Sequence, residues 1–297
     1  MSDELPRPRP RRVRMRRPRN ARRRLSGFSV NRMVPNVLTV LALCAGMTAI
    51  RFAMGGNFQA AVYAIMIAAV FDGLDGRIAR LLKSTSRFGA ELDSLSDFIS
   101  FGVAPAAVLY LWTMQELHGI GWAIVMFYAV CCALRLARFN TQLGVEVPPY
   151  ASLYFTGVPA PAGAGLAIMP MFVAFEFGDW IVRSPYVIGV WVTGVALLMV
   201  STIPTVSIKK FRIPQHLVVP TLLGIGILAA FLTTAPWPTL TLVGLVYLGS
   251  IPWTMRSARR LKRNAARRPE TAEPPALASP AHHPLAEGTA PTSEMRH

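Results

Sequence analysis

Two pairs of aspartates, Asp72 with Asp75 and Asp93 with Asp97, have the residue type and spacing that chemistry requires in this 297-residue chain. The partners are three and four residues apart, so each pair lies on one face if its segment is helical. A long apolar run precedes the first pair and another follows the second. Four carboxylates gathered beside apolar segments repel one another unless a cation neutralises them. Because hard oxygen ligands suit Mg²⁺ or Mn²⁺, we predict a divalent-metal site.

The residues between the two pairs indicate which kind of ligand such a metal would help to bind. Gly76, Ala79 and Gly89 leave room beside the carboxylates, and Arg80 adds a guanidinium. Metal, open space and guanidinium together describe a phosphate-binding site. Two alternatives stay open at this point. One is an Asp/Arg network that only joins two helices; the other is an ion-coupled membrane transporter, whose acids would be expected near mid-membrane in broken helices.

The elements that must position these aspartates are predicted to be membrane-spanning helices. Hydrophobic residues make up 53% of the chain and charged residues 15%. Eight apolar runs approach the roughly 20 residues that one crossing takes. We therefore predict an all-α, polytopic membrane protein with a six-helix core and about two further helices. The runs are 36–54, 57–76, 95–114, 120–138, 159–177, 186–205, 217–235 and 239–255.

Positive charge predicts the orientation of the chain. With a cytoplasmic N-terminus and eight spans, 29 of the 31 Lys and Arg residues fall on the cytoplasmic side, and only Arg51 and Arg183 fall outside. This bias predicts a multi-pass protein of the cell (inner, cytoplasmic) membrane with both termini in the cytoplasm. It also places the four aspartates at the cytoplasmic edge. The cluster Lys209, Lys210 and Arg212 is interpreted as a surface patch that faces lipid headgroups.

Composition divides the chain into three parts. Residues 1–29 carry eleven Arg between Arg7 and Arg24 and are predicted to be a basic disordered or interfacial segment. Residues 30–255 are predicted to be the transmembrane catalytic domain. Residues 256–297 are predicted to be a basic, then Pro/Ala-rich, disordered tail. Because the basic segment lacks interleaved aromatic residues and a binding module, we expect lipid bilayer, not nucleic acid, as its partner.

The aspartates belong to a longer pattern that resembles a known family. Residues 72–97 match D-x2-D-G-x2-A-R-x8-G-x3-D-x3-D at all eight fixed positions, which is similar to the signature of the CDP-alcohol phosphotransferases. The apolar runs over 36–235 agree with the family's six-helix core. Three further stretches resemble the bacterial members of the family whose acceptor is L-serine. They are 88–106, 133–140 and 157–161.

The resemblance implies a reaction and roles for named residues. The reaction joins CDP-diacylglycerol and L-serine, giving phosphatidylserine and CMP. By the family's pattern, Asp72, Asp75, Asp93 and Asp97 hold Mg²⁺ or Mn²⁺, and Asp97 is also the general base. The substrate-binding residues it suggests are Gly76, Ala79 and Arg80, with Ser86, Asn36 and Thr39 as further contacts whose alternative role is helix capping. Members of the family are commonly homodimers, which predicts a homodimer here.

Recognition of the acceptor is predicted at a pair of arginines. Arg135 and Arg138 are three residues apart at the end of the fourth apolar run, so they can share a helical face. We expect one of them to bind the serine carboxylate or a phosphate; the alternative is a pair that only contacts lipid headgroups. Glycerol 3-phosphate and inositol phosphate are the alternative acceptors. An acceptor with its own phosphate would call for a denser basic pocket, which favours serine.

Overall fold

The computed structural model describes residues 30–82, 84, 86–142, 154–178, 182–206 and 217–266. The predicted segment 1–29, residues 267–297 of the predicted tail 256–297, and the Lys209, Lys210 and Arg212 cluster lie outside the described residues. Residues 256–266 of that tail form the last part of the helix Pro236–Ala266, where disorder was expected. The helices are α1 (Val30–Met54), α2 (Phe58–Leu81), α3 (Arg87–Asp97), α4 (Ala104–Trp112), α5 (His118–Gln142), α6 (Ala160–Ala167), α7 (Met169–Phe177), α8 (Pro185–Val200), α9 (Val218–Thr234) and α10 (Pro236–Ala266).

This architecture confirms the prediction of an all-α polytopic membrane protein. Within the described residues, five helical segments are long and apolar enough to cross a membrane: Met33–Met54, Phe58–Leu81, Arg87–Trp112, Met114–Thr141 and Ala160–Phe177. The sixth and seventh apolar runs form α8 and α9, which are shorter apolar helices. The eighth forms the N-terminal part of α10. One small addition is an antiparallel pair of short strands, β1 (Tyr154–Thr156) and β2 (Pro204–Val206).

The first two helices form a tight antiparallel hairpin. Gly56 turns the chain with φ +75°, a conformation that favours glycine. Asn57 then caps α2, because its side chain accepts a hydrogen bond from the Ala60 N–H at 3.1 Å. The apolar face of α2 is buried at Ala61, Val62 and Ile65, and the helix continues without a break through the first aspartate pair.

The third span is one rod made of three parts. Ser86 caps α3, accepting a hydrogen bond from the Gly89 N–H at 3.0 Å. A π-helical segment, Phe98–Val103, follows Asp97 and leads into α4. Two buried serines fix the rod to α1: Ser96 donates to the Thr39 carbonyl at 3.0 Å and Ser100 to the Ala42 carbonyl at 3.1 Å. Helix α3 therefore lies against the hairpin that carries the first aspartate pair.

The end of α5 is joined to the end of α8. Arg138 donates a hydrogen bond to the Val200 carbonyl at 2.8 Å, satisfying one of the carbonyls that a helix C-terminus leaves free. Just beyond α8, β2 pairs with β1, and Gly157 follows β1 with φ +79°. A Cβ at Gly157 would lie 2.6 Å from the Met199 carbonyl oxygen, so this turn requires glycine. Helix ends and strands thus meet on the side of the protein where the aspartates lie.

Candidate metal and phosphate site

The carboxylates of α2 and α3 converge as their spacing predicts. One carboxylate oxygen from each of Asp72, Asp75 and Asp93 lies within 4.8 Å of the others. Mg²⁺ holds oxygen ligands at about 2.0–2.1 Å, so ligands on opposite sides of the ion are about 4 Å apart. Rotations of the side chains that bring adjacent oxygens to about 3 Å from one another would let all three bind one ion. A cluster of hard oxygen donors therefore fits a divalent metal such as Mg²⁺ or Mn²⁺.

Asp75 is the most deeply buried of the predicted ligands, with 4% of its surface exposed. The Thr39 hydroxyl of α1 lies 2.6 Å from Asp75 Oδ2, a distance typical of a charge-assisted O–H···O⁻ bond. That hydroxyl also lies 3.1 Å from the Pro35 carbonyl, but one proton serves the shorter bond best. Thr39 therefore orients a carboxylate, a role that the sequence did not indicate beside the substrate contact or helix cap expected for it.

Asp97 lies on the α5 side of the three-carboxylate cluster. Its carboxyl group lies close enough to that of Asp72 for the two to share a proton, which links it to the cluster. The Arg135 guanidinium of α5 interacts electrostatically with both Asp72 and Asp97. It also lies 6.0 Å from the centroid of the Phe139 ring. Two carboxyl groups in contact with an arginine beside them form an arrangement that can hold and release a proton next to bound phosphate.

A cavity of about 190 Å³ opens beside Asp75 and Asp93. Its walls bring together seven of the twelve residues predicted for the site, from α1, α2 and α3. These seven are Asn36, Thr39, Asp75, Gly76, Ala79, Ser86 and Asp93. Pro35, Ser84, Gly89 and Ala90 complete the lining. The cavity is thus polar on the carboxylate side and is lined by small residues elsewhere, as a site for a phosphorylated ligand requires.

The other predicted residues surround this cavity without lining it. Arg80 is exposed, and its Nε donates to the Gly76 carbonyl at 2.9 Å, which leaves the terminal nitrogens of its guanidinium for a ligand. Arg138 is held by the Val200 carbonyl, so Arg135 is the member of the arginine pair that faces the carboxylates. Ser86 caps α3, the alternative role expected for it, and it also lines the cavity.

The structure places two further residues near the site, Asn140 and Tyr128, which the sequence patterns did not single out. Asn140 of α5 donates to the Ser94 hydroxyl at 2.8 Å, which fastens α5 to the helix segment between Asp93 and Asp97. Tyr128, fully buried in α5, donates to the Phe101 carbonyl at 2.9 Å. Asn140 lies in one of the stretches that carried the family resemblance, so that stretch held the signal for it. Tyr128 had no such signal.

We expect Gly76→Ala to leave the fold intact and to lower kcat/KM for CDP-diacylglycerol at least tenfold. A Cβ at Gly76 meets no protein atom within 4 Å, so the space it would fill is space for a ligand. Alanine also favours a helix by about 1 kcal/mol over glycine, so the melting temperature should not fall. Gly224→Ala in α9, where a Cβ likewise meets nothing, is the matched control with unchanged activity. Wild-type kcat/KM in Gly76→Ala would contradict this use of the cavity.

Comparison with known families agrees with the fold and the site. The model of the family "CDP-alcohol phosphatidyltransferase" matches residues 32–200, more than half of the chain. The chain belongs to this family, as the pattern over residues 72–97 predicted. A second model, "CDP-alcohol phosphatidyltransferase 2", matches residues 216–252, which covers α9 and the first part of α10.

Relatives with a curated name are similar over most of the chain. A protein of Mycobacterium tuberculosis (strain H37Rv) named CDP-diacylglycerol–serine O-phosphatidyltransferase is 42% identical over 230 residues, 77% of this chain and 80% of that protein. A protein of the same name from Mycobacterium leprae is 42% identical over 77% of this chain and 76% of its own length. A third, from Helicobacter pylori (strain 26695), is 35% identical over 61% of this chain and 74% of its own length.

Proposed function

We propose that this protein transfers the phosphatidyl group from CDP-diacylglycerol to L-serine, giving phosphatidylserine and CMP. The observation that carries the proposal is the convergence of Asp72, Asp75 and Asp93 beside a cavity lined by small and polar residues. The names of the relatives support serine as the acceptor. The layout suits a liponucleotide, whose acyl chains remain in lipid while its diphosphate reaches the polar end of α2 and α3.

Mg²⁺ or Mn²⁺ held by Asp72, Asp75 and Asp93, with Asp97 at the edge of the cluster, would neutralise the diphosphate and the charge that develops on CMP. The chain's own residues do the rest. Gly76 and Ala79 let the nucleotide approach α2 closely, and Arg80 contacts a phosphate. Thr39 holds Asp75 in place through its hydrogen bond. Asn36 of α1 and Ser86 at the start of α3 offer polar contacts within the cavity.

Asp97 is the general base in this proposal. A neutral hydroxyl is a weak nucleophile, so the serine hydroxyl loses its proton to the Asp97 carboxylate as its oxygen attacks the phosphorus that carries diacylglycerol. The bond between that phosphorus and the bridging oxygen of the diphosphate breaks. CMP leaves with the bridging oxygen, and the new phosphodiester is phosphatidylserine. Asp97 has only to be oriented toward the reacting oxygen, and its proximity to Asp72 and the nearby charge of Arg135 supply that orientation.

We assign the serine carboxylate to Arg135 and expect Arg135→Gln to raise the KM for serine at least tenfold. Its guanidinium is the one that faces the carboxylates, and a bidentate arginine–carboxylate pair is lost with glutamine. Arg138→Gln is the matched control, because the amide N–H of glutamine can still donate to the Val200 carbonyl. Initial rates at varied serine measure both variants. A serine KM that rises in Arg138→Gln but not in Arg135→Gln would transfer the assignment to Arg138.

The acceptor is tested by CMP release from CDP-diacylglycerol in vesicles that contain the purified protein and Mn²⁺ or Mg²⁺. We expect release that depends on serine and is negligible with glycerol 3-phosphate, inositol phosphate or no acceptor. Release that depends on one of the phosphorylated acceptors instead would refute serine while keeping the same chemistry. Replacing Mn²⁺ with Mg²⁺ in the same assay identifies the ion that supports the higher rate.

The protein is a multi-pass membrane protein, and we propose that it lies in the cell's inner membrane with both termini in the cytoplasm. The support is the bias of Lys and Arg toward one side. In this arrangement residues 30–255 are the catalytic domain, and serine reaches the site from the cytoplasm. A homodimer remains our proposal for the assembly. The basic segment 1–29 is proposed to contact anionic lipid.

A further inference from the structure

The turn that follows Asp97 is wider than an α-helical turn. Residues Phe98–Val103 form a π-helix, and the Ala104 N–H donates to the Ile99 carbonyl, five residues back. Pro105 explains why the helix widens here. Proline has no N–H to donate to the carbonyl four residues earlier, and its ring clashes with that carbonyl. The affected carbonyl belongs to Phe101, at the centre of the π-helix.

Tyr128 of α5 supplies the hydrogen bond that Pro105 cannot. Its hydroxyl donates to the Phe101 carbonyl at 2.9 Å, and both residues are fully buried. A buried carbonyl without a donor costs about 1–3 kcal/mol, so the widened turn is tolerated because this donor is present. Pro105 and Tyr128 therefore act together. Pro105 opens the turn, and Tyr128 donates a hydrogen bond to the carbonyl that Pro105 leaves without a donor.

The π-helix is also clamped between α1 and α5. On one side Ser100 donates to the Ala42 carbonyl, and a Cβ at Gly46 would lie 2.8 Å from the Ser100 Cα. On the other side a Cβ at Gly102 would lie 3.3 Å from the Cys132 side chain, one helical turn beyond Tyr128. Because α1 and α5 pack this closely against the two sides of the π-helix, the widened turn is held at one place along the rod.

The widened turn decides which side of the rod Asp97 faces. A π-helical turn takes up about one more residue than an α-helical turn, so α3 is turned about the rod axis relative to α4 compared with an unbroken α-helix. In this arrangement Asp97 lies on the side that α5 approaches. Closing the turn would rotate α3 against α4 by roughly 100°, one residue of an α-helix. That rotation would move Asp97 away from Arg135 and Asp72.

We propose that Tyr128 is a positioning residue for Asp97, which acts by stabilising the π-helix. This rests on the proposed role of Asp97 as the base. Tyr128 touches neither substrate nor metal in this account. Its hydroxyl holds open the turn that directs the Asp97 carboxylate toward the reacting serine oxygen.

The test begins with Tyr128→Phe, which removes only the hydroxyl, in the full-length protein in vesicles. We expect kcat for CMP release to fall at least tenfold, while the KM for CDP-diacylglycerol and the number of Mn²⁺ ions bound per chain, measured by electron paramagnetic resonance, stay unchanged. Thr113→Val is the matched control, because the buried Thr113 donates its hydroxyl to a carbonyl, that of Arg183 at 3.0 Å, at the far end of the same rod. It should lower the melting temperature without lowering kcat. Wild-type kcat in Tyr128→Phe would overturn the proposal.

Pro105→Ala in the Tyr128→Phe background separates positioning from stability. Alanine restores an N–H that can donate to the Phe101 carbonyl and lets the turn close. We expect the melting temperature to recover while kcat stays at least tenfold low. Recovery of kcat together with the melting temperature would overturn the proposal, since it would reduce Tyr128 to a donor for one carbonyl.

Failure of this proposal is distinguishable from failure of the proposed function. If the wild-type protein released CMP with an acceptor other than serine, the ratio of kcat between Tyr128→Phe and wild type would be measured with that acceptor. Equal kcat values for Tyr128→Phe and the wild type would overturn the positioning role, whichever acceptor is used. Absence of serine-dependent release in the wild type refutes only the acceptor.

Discussion

Asp97→Asn is expected to lower kcat for serine-dependent CMP release by about 10²–10⁴, the range that general-base catalysis contributes. Asparagine keeps the size of the side chain and can keep a hydrogen bond to Asp72, but it cannot take the proton from the serine hydroxyl. The KM for CDP-diacylglycerol should change little, because the cavity that we propose for the liponucleotide lies beside Asp75 and Asp93 and does not include Asp97 in its lining. The loss should therefore appear in kcat.

The measurement is made at saturating Mn²⁺, so that a weaker metal site does not lower the rate by itself. Displacement of a spin-labelled CDP-diacylglycerol by the natural lipid gives a binding check that does not depend on turnover. Release at the wild-type rate by Asp97→Asn would remove Asp97 as the base. A rise in KM without a loss of kcat would make it a binding residue instead.

Asp93→Asn is expected to abolish tight Mn²⁺ binding and to lower activity by about 10³-fold or more. Asp93 supplies one of only three oxygens in the 4.8 Å cluster, and the two that remain lie on α2. A neutral amide at this position removes both a ligand and a unit of negative charge, so the ion loses its link between the two helices. The number of bound Mn²⁺ ions and their affinity, measured by electron paramagnetic resonance, test the prediction directly.

Glu91→Gln is the matched control for Asp93→Asn. Glu91 is an exposed acid on the same helix and lies outside the cluster, so its neutralisation changes the local charge equally without removing a ligand. Mn²⁺ affinity and kcat should stay within twofold of wild type. If Glu91→Gln weakened Mn²⁺ as strongly as Asp93→Asn, the metal would respond to the overall charge of α3 and the three-carboxylate site would be wrong.

Much of this fold was predictable because its elements are long and apolar. The run from Phe58 to Phe71 leads without a break into Asp72, so the helix and its polar end could both be expected. Helix α3 was harder to predict. It begins at Arg87, eight residues before the apolar run predicted from residue 95, because its first two turns are polar and carry little hydropathy signal. The cap at Ser86 is what begins it.

Contacts between distant parts of the chain could not be predicted from composition or spacing. Thr39 and Asp75 are 36 residues apart, and only the geometry of the α1–α2 hairpin brings the hydroxyl to the carboxylate. The same holds for Arg138 and Val200, which are 62 residues apart. The sequence pattern selected Arg135 and Arg138 as equals, whereas their different partners set them apart. The π-helix escaped prediction because it depends on a proline and on a tyrosine of another helix.

The most direct test of the central claim is the stoichiometry of products formed from CDP-diacylglycerol and serine labelled with ¹⁸O in its hydroxyl. We expect CMP and phosphatidylserine in equal amounts, with the ¹⁸O in the phosphodiester of the lipid and none in CMP. The rates of formation of both products should fall together in Asp97→Asn. CMP that forms without labelled phosphatidylserine, or at the same rate without serine, would contradict the claim that this site transfers the phosphatidyl group to serine.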